Sequence, residues 1–168
     1  MINWSYFPRS DAATDLAVAV VSAFDAVADE IDSAKHTGAS NAVLALVKPQ
    51  LEAIGFCVEL SKFAKDKIRV PVLFGRNGKL QKSFDADAHH VSAGFVVEVE
   101  AGRGVTNYQF LKDLFQACMM DRVFYLAIAV RNTYRGNQDF EIAERFFDTM
   151  YASNRLQLPL KGILLIGY

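Results

Sequence analysis

Residues 95–100 read Phe-Val-Val-Glu-Val-Glu (FVVEVE). The valines predict a β-strand, because branched side chains pack well on a pleated surface. Glu98 and Glu100 interrupt the apolar run two residues apart. The strand period of two sends both carboxylates to one face, with Cα atoms about 6.6–6.8 Å apart. Burying like charges side by side costs several kcal/mol per ion unless something compensates. The stretch is therefore both a structural landmark and a chemical anomaly.

Upstream of it, Asp85 and Asp87 repeat the pattern on a predicted strand at Lys79–Ala88. If that strand pairs with Phe95–Glu100 through a turn at His89–Gly94, up to four carboxylates meet on one face. A divalent cation would compensate their charge. All-oxygen ligands without clustered His or Cys favour Mg²⁺ or Mn²⁺ over zinc. Period-two patterning is equally consistent with an edge hairpin whose acidic face points at water.

Further upstream, Ile68–Phe74 predicts a strand joined to Lys79–Ala88 by the turn Gly75–Arg76–Asn77–Gly78, with Asn-Gly suited to a hairpin. Phe56–Leu60 predicts a short strand, and Lys62–Lys67 a charged turn. Two helices are predicted before it. The first starts at a Ser10 cap, carries Leu16, Val20, Phe24, Val27 and Ile31, and ends near Ser33. The second starts at Ser40, carries Val43, Leu44, Val47, Leu51 and Ile54, and stops at Gly55. Pro49 should kink it. Trp4, Tyr6 and Phe7, ahead of both, suit packing on the core or a subunit interface.

Downstream, Gly102–Arg103–Gly104 leads to a Thr106 cap and the helical stripe Phe110, Leu111, Leu114, Phe115 and Cys118. Val123–Val130 is almost wholly apolar, as a central strand should be. Gln138–Tyr151 predicts another helix and Gly162–Gly167 a last buried strand. Helices between the last strands imply right-handed crossovers and parallel pairing. The expected fold is α/β: N-terminal helices, an antiparallel meander, then βαβαβ, in one mixed sheet flanked by helices.

Composition narrows the function. The 168 residues carry 18 Lys+Arg and 19 Asp+Glu, and 52% are hydrophobic. One domain with a sizeable core is expected, with residues 1–36 as a helical extension and 40–168 as the core. The balance of charge excludes a polybasic nucleic-acid arm but not a local basic groove. Cys57 and Cys118 fit reduced thiols in an apolar core, and with them a cytoplasmic protein. Met1–Pro8 lacks a charged start followed by an apolar run, so no signal peptide is expected. No apolar run approaches the roughly 20 residues that span a bilayer.

An acid on one strand, a hairpin, Glu-x-Glu on the next strand, then a helix and a buried strand resembles the restriction-endonuclease-like PD-(D/E)xK nucleases. The likeness runs from about Ser40 to Tyr168. VVEVE, YLAIAVRN and LPLKGILLIGY are most similar to the Bgl- and Bam-type restriction enzymes, the Glu-x-Glu branch. The resemblance implies that Asp87 is the first acid, with Asp85 in reserve, and Glu98 the second. It implies that the Val99 carbonyl is a further metal ligand, and that Glu100 stands where most members have lysine. Glu52 matches a position where many members carry another acid. Lys112 is a candidate to supply the absent amine. The implied activity is Mg²⁺- or Mn²⁺-dependent hydrolysis of phosphodiesters in duplex DNA, by a homodimer with two sites. Ala86 replaces the family's proline. A glutamate for lysine also fits an inactive scaffold that binds proteins or nucleic acid, and an RNA-directed or repair nuclease is a third possibility.

Other residues fit contacts with the substrate. Arg103, between glycines before a helix, is placed to meet a phosphate. Asn107 and Gln109 occupy the next turn, and Arg131 and Arg135 follow a buried strand whose end could meet nucleic acid. Each of these is also an ordinary solvated side chain in a loop or helix start.

Overall fold

The computed structural model describes residues 1–61, 63, 66–102 and 104–168. Eight strands and five α-helices follow in the order β1 (Asn3–Phe7), α1 (Asp15–Asp25), α2 (Ala28–Ile31), α3 (Ser40–Ala53), β2 (Cys57–Val58), β3 (Ile68–Phe74), β4 (Leu80–Ala86), β5 (Ala88–His90), β6 (Phe95–Val99), α4 (Gln109–Met119), β7 (Tyr125–Val130), α5 (Asp139–Ser153) and β8 (Gly162–Gly167). Six strands form one mixed sheet in the order β1-β8-β7-β6-β5-β2, and β3 and β4 form a separate two-stranded sheet. The fold is mixed α/β.

β6, β7 and β8 run parallel. Parallel neighbours need crossovers, and α4 and α5 supply them. β7 and β8 are buried on both faces, which is why YLAIAV and GILLIG carry no charge. Period two divides the core. Val97, Val99, Ala127, Ala129, Leu164 and Ile166 face one way, with Phe24, Val47 and Leu51 of α1 and α3. Val96, Leu126, Ile128, Ile163 and Leu165 face the other, with Phe110, Leu114 and Phe147 of α4 and α5. Glu98, two residues after Val96, belongs to the α4 side.

The sheet departs from the sequence reading in several places. Trp4, Tyr6 and Phe7, read from the sequence as packing on the core or a subunit interface, belong to edge strand β1, antiparallel to β8 from Asn3↔Gly167 to Phe7↔Ile163. The first 36 residues are therefore more than a helical extension. The first predicted helix is two: Thr14, not Ser10, caps α1 by accepting the N–H of Ala17, and Val27 leaves helical geometry (φ −121°) before α2. α3 continues through Pro49 to Ala53, and Gly55 follows with φ +96°, as a left-handed stop requires. The next predicted helix starts at Gln109 behind a left-handed Tyr108, not at a Thr106 cap.

The meander is also interrupted. The sequence predicts one strand over Lys79–Ala88. It is β4 and β5, broken at Asp87, where the chain passes from the small sheet into the large one. His89 and His90 belong to β5 rather than to a turn. The cysteines are free, but Cys57 is exposed and Cys118 partly so, instead of both lying in the core. Of the predicted charged turn, Lys62, Ala64 and Lys65 lie outside the described residues. Among the described residues no helix is long and apolar enough to cross a membrane.

Candidate functional site

The break at Asp87 sets the site. β5 and β6 pair with Ala88↔Val97 and His89↔Val96. Carried on by one residue, this register sets Asp87 opposite Glu98, and opposed residues of an antiparallel pair share a face. A continued β5 would offer a backbone carbonyl to the N–H of Val99. The Asp87 carboxylate takes that bond instead, Oδ2 accepting at 2.8 Å. The Asp87 carbonyl accepts the N–H of Glu59, also at 2.8 Å. Glu100 lies just past β6; its N–H bonds the carbonyl of Ala129, and its own carbonyl accepts the Tyr168 hydroxyl at 2.9 Å.

These residues line an open cleft of about 470 Å³ between the small sheet, the end of β6 and α4. α4 contributes Asp113, whose side chain is only 3% exposed and whose Oδ2 has no hydrogen-bond partner among the described residues. The charge of Asp113 bears on Glu100 and favours its protonated form. Lys112 Nζ lies 3.5 Å from Asp113 Oδ1. Across the cleft, Lys67 Nζ donates to both oxygens of the buried Glu59, at 2.8 and 2.7 Å.

Crowded, poorly solvated carboxylates resist ionisation. Burial pushes Asp87 up to about 6; the charges of Glu59 and Asp113 add to this, while the Val99 N–H and Lys67 oppose it. Burial, then the charges of Asp87 and Asp113, hold Glu98 well above the ordinary carboxylate range. Burial and Asp113 push Glu100 up to about 8. Asp113 is itself raised by burial, against the pull of Lys112. The cleft concentrates more acid than Lys67, Lys82 and Lys112 neutralise.

No family model matches the chain, and no curated protein matches it.

The structure thus brings together Asp87, Glu98, Val99, Glu100 and Lys112 of the predicted residues. Asp85 lines the same cleft but is exposed, paired in register with Arg69 on the β3–β4 hairpin. Glu52 is a correction: it is exposed on α3, 3.5 Å from Lys48, and takes no part in lining the cleft. Asn107, exposed, and Gln109 do not line it either, because the chain turns at left-handed Tyr108 before α4 begins. Arg103 lies outside the described residues. Asp113, Glu59 and Lys67 were missed. Asp113 had a readable signal: it stands three residues after Phe110 and four before Ala117, an acid on the buried stripe of α4.

The donor set can be tested against a cation. Asp87, Glu98, Glu100 and Asp113 offer oxygen alone, which suits Mg²⁺ or Mn²⁺, and the unpartnered Asp113 oxygen is the kind of atom a hydrated cation would satisfy. Among the described residues, however, no group of three or more His, Cys, Asp or Glu side chains is already gathered closely enough to hold a metal ion. The chemistry of the site fits a divalent cation, and its side chains would have to draw together to bind one.

Proposed function

We propose that this chain is a metal-dependent endodeoxyribonuclease with a restriction-endonuclease-like core of the Glu-x-Glu branch. The observation that carries the proposal is Asp87 standing opposite Glu98 at a broken strand, with Glu100 two residues on, in a cleft open to solvent. The order of elements supports it: a helix (α3), three antiparallel strands (β2, β5, β6) with Asp87 just ahead of the second and Glu98 on the third, a helix (α4), and a buried strand (β7) parallel to the third.

In this account Asp87, Glu98 and the Val99 carbonyl hold Mg²⁺ or Mn²⁺. Such a cation supplies charge to a scissile phosphate and lowers the pKa of bound water. Glu100 orients the attacking water and accepts its proton. The charge of Asp113 raises the basicity of Glu100 for that step. Lys112 and Lys67 bring positive charge to a cleft that must receive a phosphodiester. A homodimer would supply two such sites, as cleavage of both strands of a duplex needs.

One observation favours a second function, that of an inactive nuclease scaffold serving protein or nucleic-acid interaction. Among the described residues the carboxylates are not gathered for a metal, in keeping with the glutamate that the resemblance puts in the lysine position. Incubation with supercoiled DNA of high sequence complexity and Mn²⁺ separates the two. The nuclease yields nicked or linear product, and Glu98→Gln lowers the rate at least about a hundredfold, the scale of losing a positioned catalytic group. Intact DNA, or cleavage that survives Glu98→Gln, contradicts the proposal.

A further inference from the structure

A second pocket, of about 580 Å³, opens beside the acidic cleft. The two share a wall. Glu100 and Ser40 line the cleft, and their chain neighbours Ala101 and Ala39 line the pocket. The character of the lining reverses across that wall. The pocket presents Arg131 and Arg135 with the hydroxyl-bearing Ser33, Thr37, Thr133 and Tyr134, and no carboxylate is among its lining residues.

The arginines are held in place. Each guanidinium carbon lies 5.2 Å from the centre of the Tyr134 ring, a contact that orients a planar cation. Tyr134 in turn lies against Gly102, where φ is +96° and an added Cβ would sit 3.0 Å from the ring. Arg131 is only 6% exposed. One of its terminal nitrogens donates to the Gly38 carbonyl at 2.7 Å, while its Nε is buried without a partner among the described residues. Among those residues neither arginine forms an ion pair. Burial raises the pKa of Asp139, and the charge of Arg131 opposes the shift. Ordered guanidinium groups lining a pocket that no carboxylate lines form a receptor for a phosphate group, which accepts parallel hydrogen bonds from such a fork.

We infer that this pocket binds a backbone phosphate of the nucleic-acid strand whose neighbouring phosphodiester occupies the acidic cleft. The phosphate chemistry stands on the pocket; that the phosphate belongs to nucleic acid rests on the function proposed above. Arg135 is exposed and neutralises the phosphate from the rim. Arg131 fixes its orientation from the floor.

The test is fluorescence anisotropy of a labelled short DNA duplex in EDTA, so that no metal bridges the acidic cleft. Arg135→Gln, at an exposed position, should leave the melting temperature unchanged, weaken binding about tenfold, and lower the slope of log affinity against log salt by about one. Arg131→Lys keeps the charge but loses the fork, and should also weaken binding. Glu98→Gln should bind at least as well as the unaltered protein. Unchanged duplex affinity in both arginine variants would overturn the inference. So would calorimetric binding of inorganic phosphate that Arg135→Gln abolishes while duplex affinity stays the same, which marks a free-anion site. Arginine-dependent duplex binding without metal-dependent cleavage keeps this site and removes the nuclease; cleavage with arginine-independent binding does the reverse.

Discussion

The Asp87 carboxylate accepts the backbone N–H of Val99 at 2.8 Å, in the position a neighbouring strand would fill. One side chain thus ends a strand and turns a carboxylate toward Glu98. The bond favours the ionised form of Asp87, yet burial outweighs it. The acidic cleft is held together by the fold at an electrostatic cost, and that cost makes measurable predictions.

Without metal, stability should fall as pH rises. The folded Asp87 titrates near 6 against an ordinary 3.8, and Glu100 near 8 against 4.5. Between each pair of values the native state holds more protons than the unfolded chain, so unfolding becomes easier with rising pH. The contribution is intact below about pH 4 and is lost through pH 6 and then pH 8. Asp87 alone accounts for a loss on the order of 3 kcal/mol. Thermal melts in EDTA from pH 5 to pH 8.5 should show the decline, with Glu100→Gln flattening its upper part. Stability that is flat or rises over this range would refute the electrostatic account.

Lys67→Met should destabilise the chain by about 3–5 kcal/mol, because it strands the buried Glu59 carboxylate. Adding Glu59→Gln should return most of that loss, since the uncompensated charge is then gone. Urea denaturation of the two single variants and the double variant measures the coupling. Additive effects would mean that the pair contributes little.

Phe7→Ala should cost about 3–5 kcal/mol, as expected for emptying a fully buried aromatic site. Phe7 lies 5.3 Å from Phe147 and 6.0 Å from Tyr151 between ring centres. Trp4→Ala, exposed on the same strand, should change stability much less. Equal effects at the two positions would contradict the role of β1 as an integral edge of the sheet.

Some of this architecture was legible because it is local. FVVEVE, VFYLAIAV and GILLIG carry their period and burial in six to eight residues, and the two parallel pairings follow from the helices between them. β1 was not legible. In Asn-Trp-Ser-Tyr-Phe the burial does not follow the polar–aromatic alternation, since Trp4 is exposed and Ser5 buried, and its partner β8 stands at the other end of the chain. The hairpin of β3 and β4 was readable from Asn77-Gly78, but which sheet it joins depends on contacts no turn encodes. Of the site, Asp87, Glu98 and Glu100 were readable from period two and one register. Asp113 required asking which helix face is buried, and Glu59 with Lys67 required knowing that the chain folds back across Asp87.

The central claim is that the acidic cleft is a divalent-cation site, and the most direct measurement is thermal unfolding with and without Mn²⁺, for the unaltered protein and for Glu98→Gln. Binding at a ligand concentration about 100 times Kd stabilises by about 2.7 kcal/mol, roughly 5–10 °C for a chain of this size. The account predicts such a shift at pH 8, a smaller one at pH 6 where the carboxyls hold their protons, and none in Glu98→Gln. No shift at millimolar Mn²⁺, or an equal shift in Glu98→Gln, would contradict it.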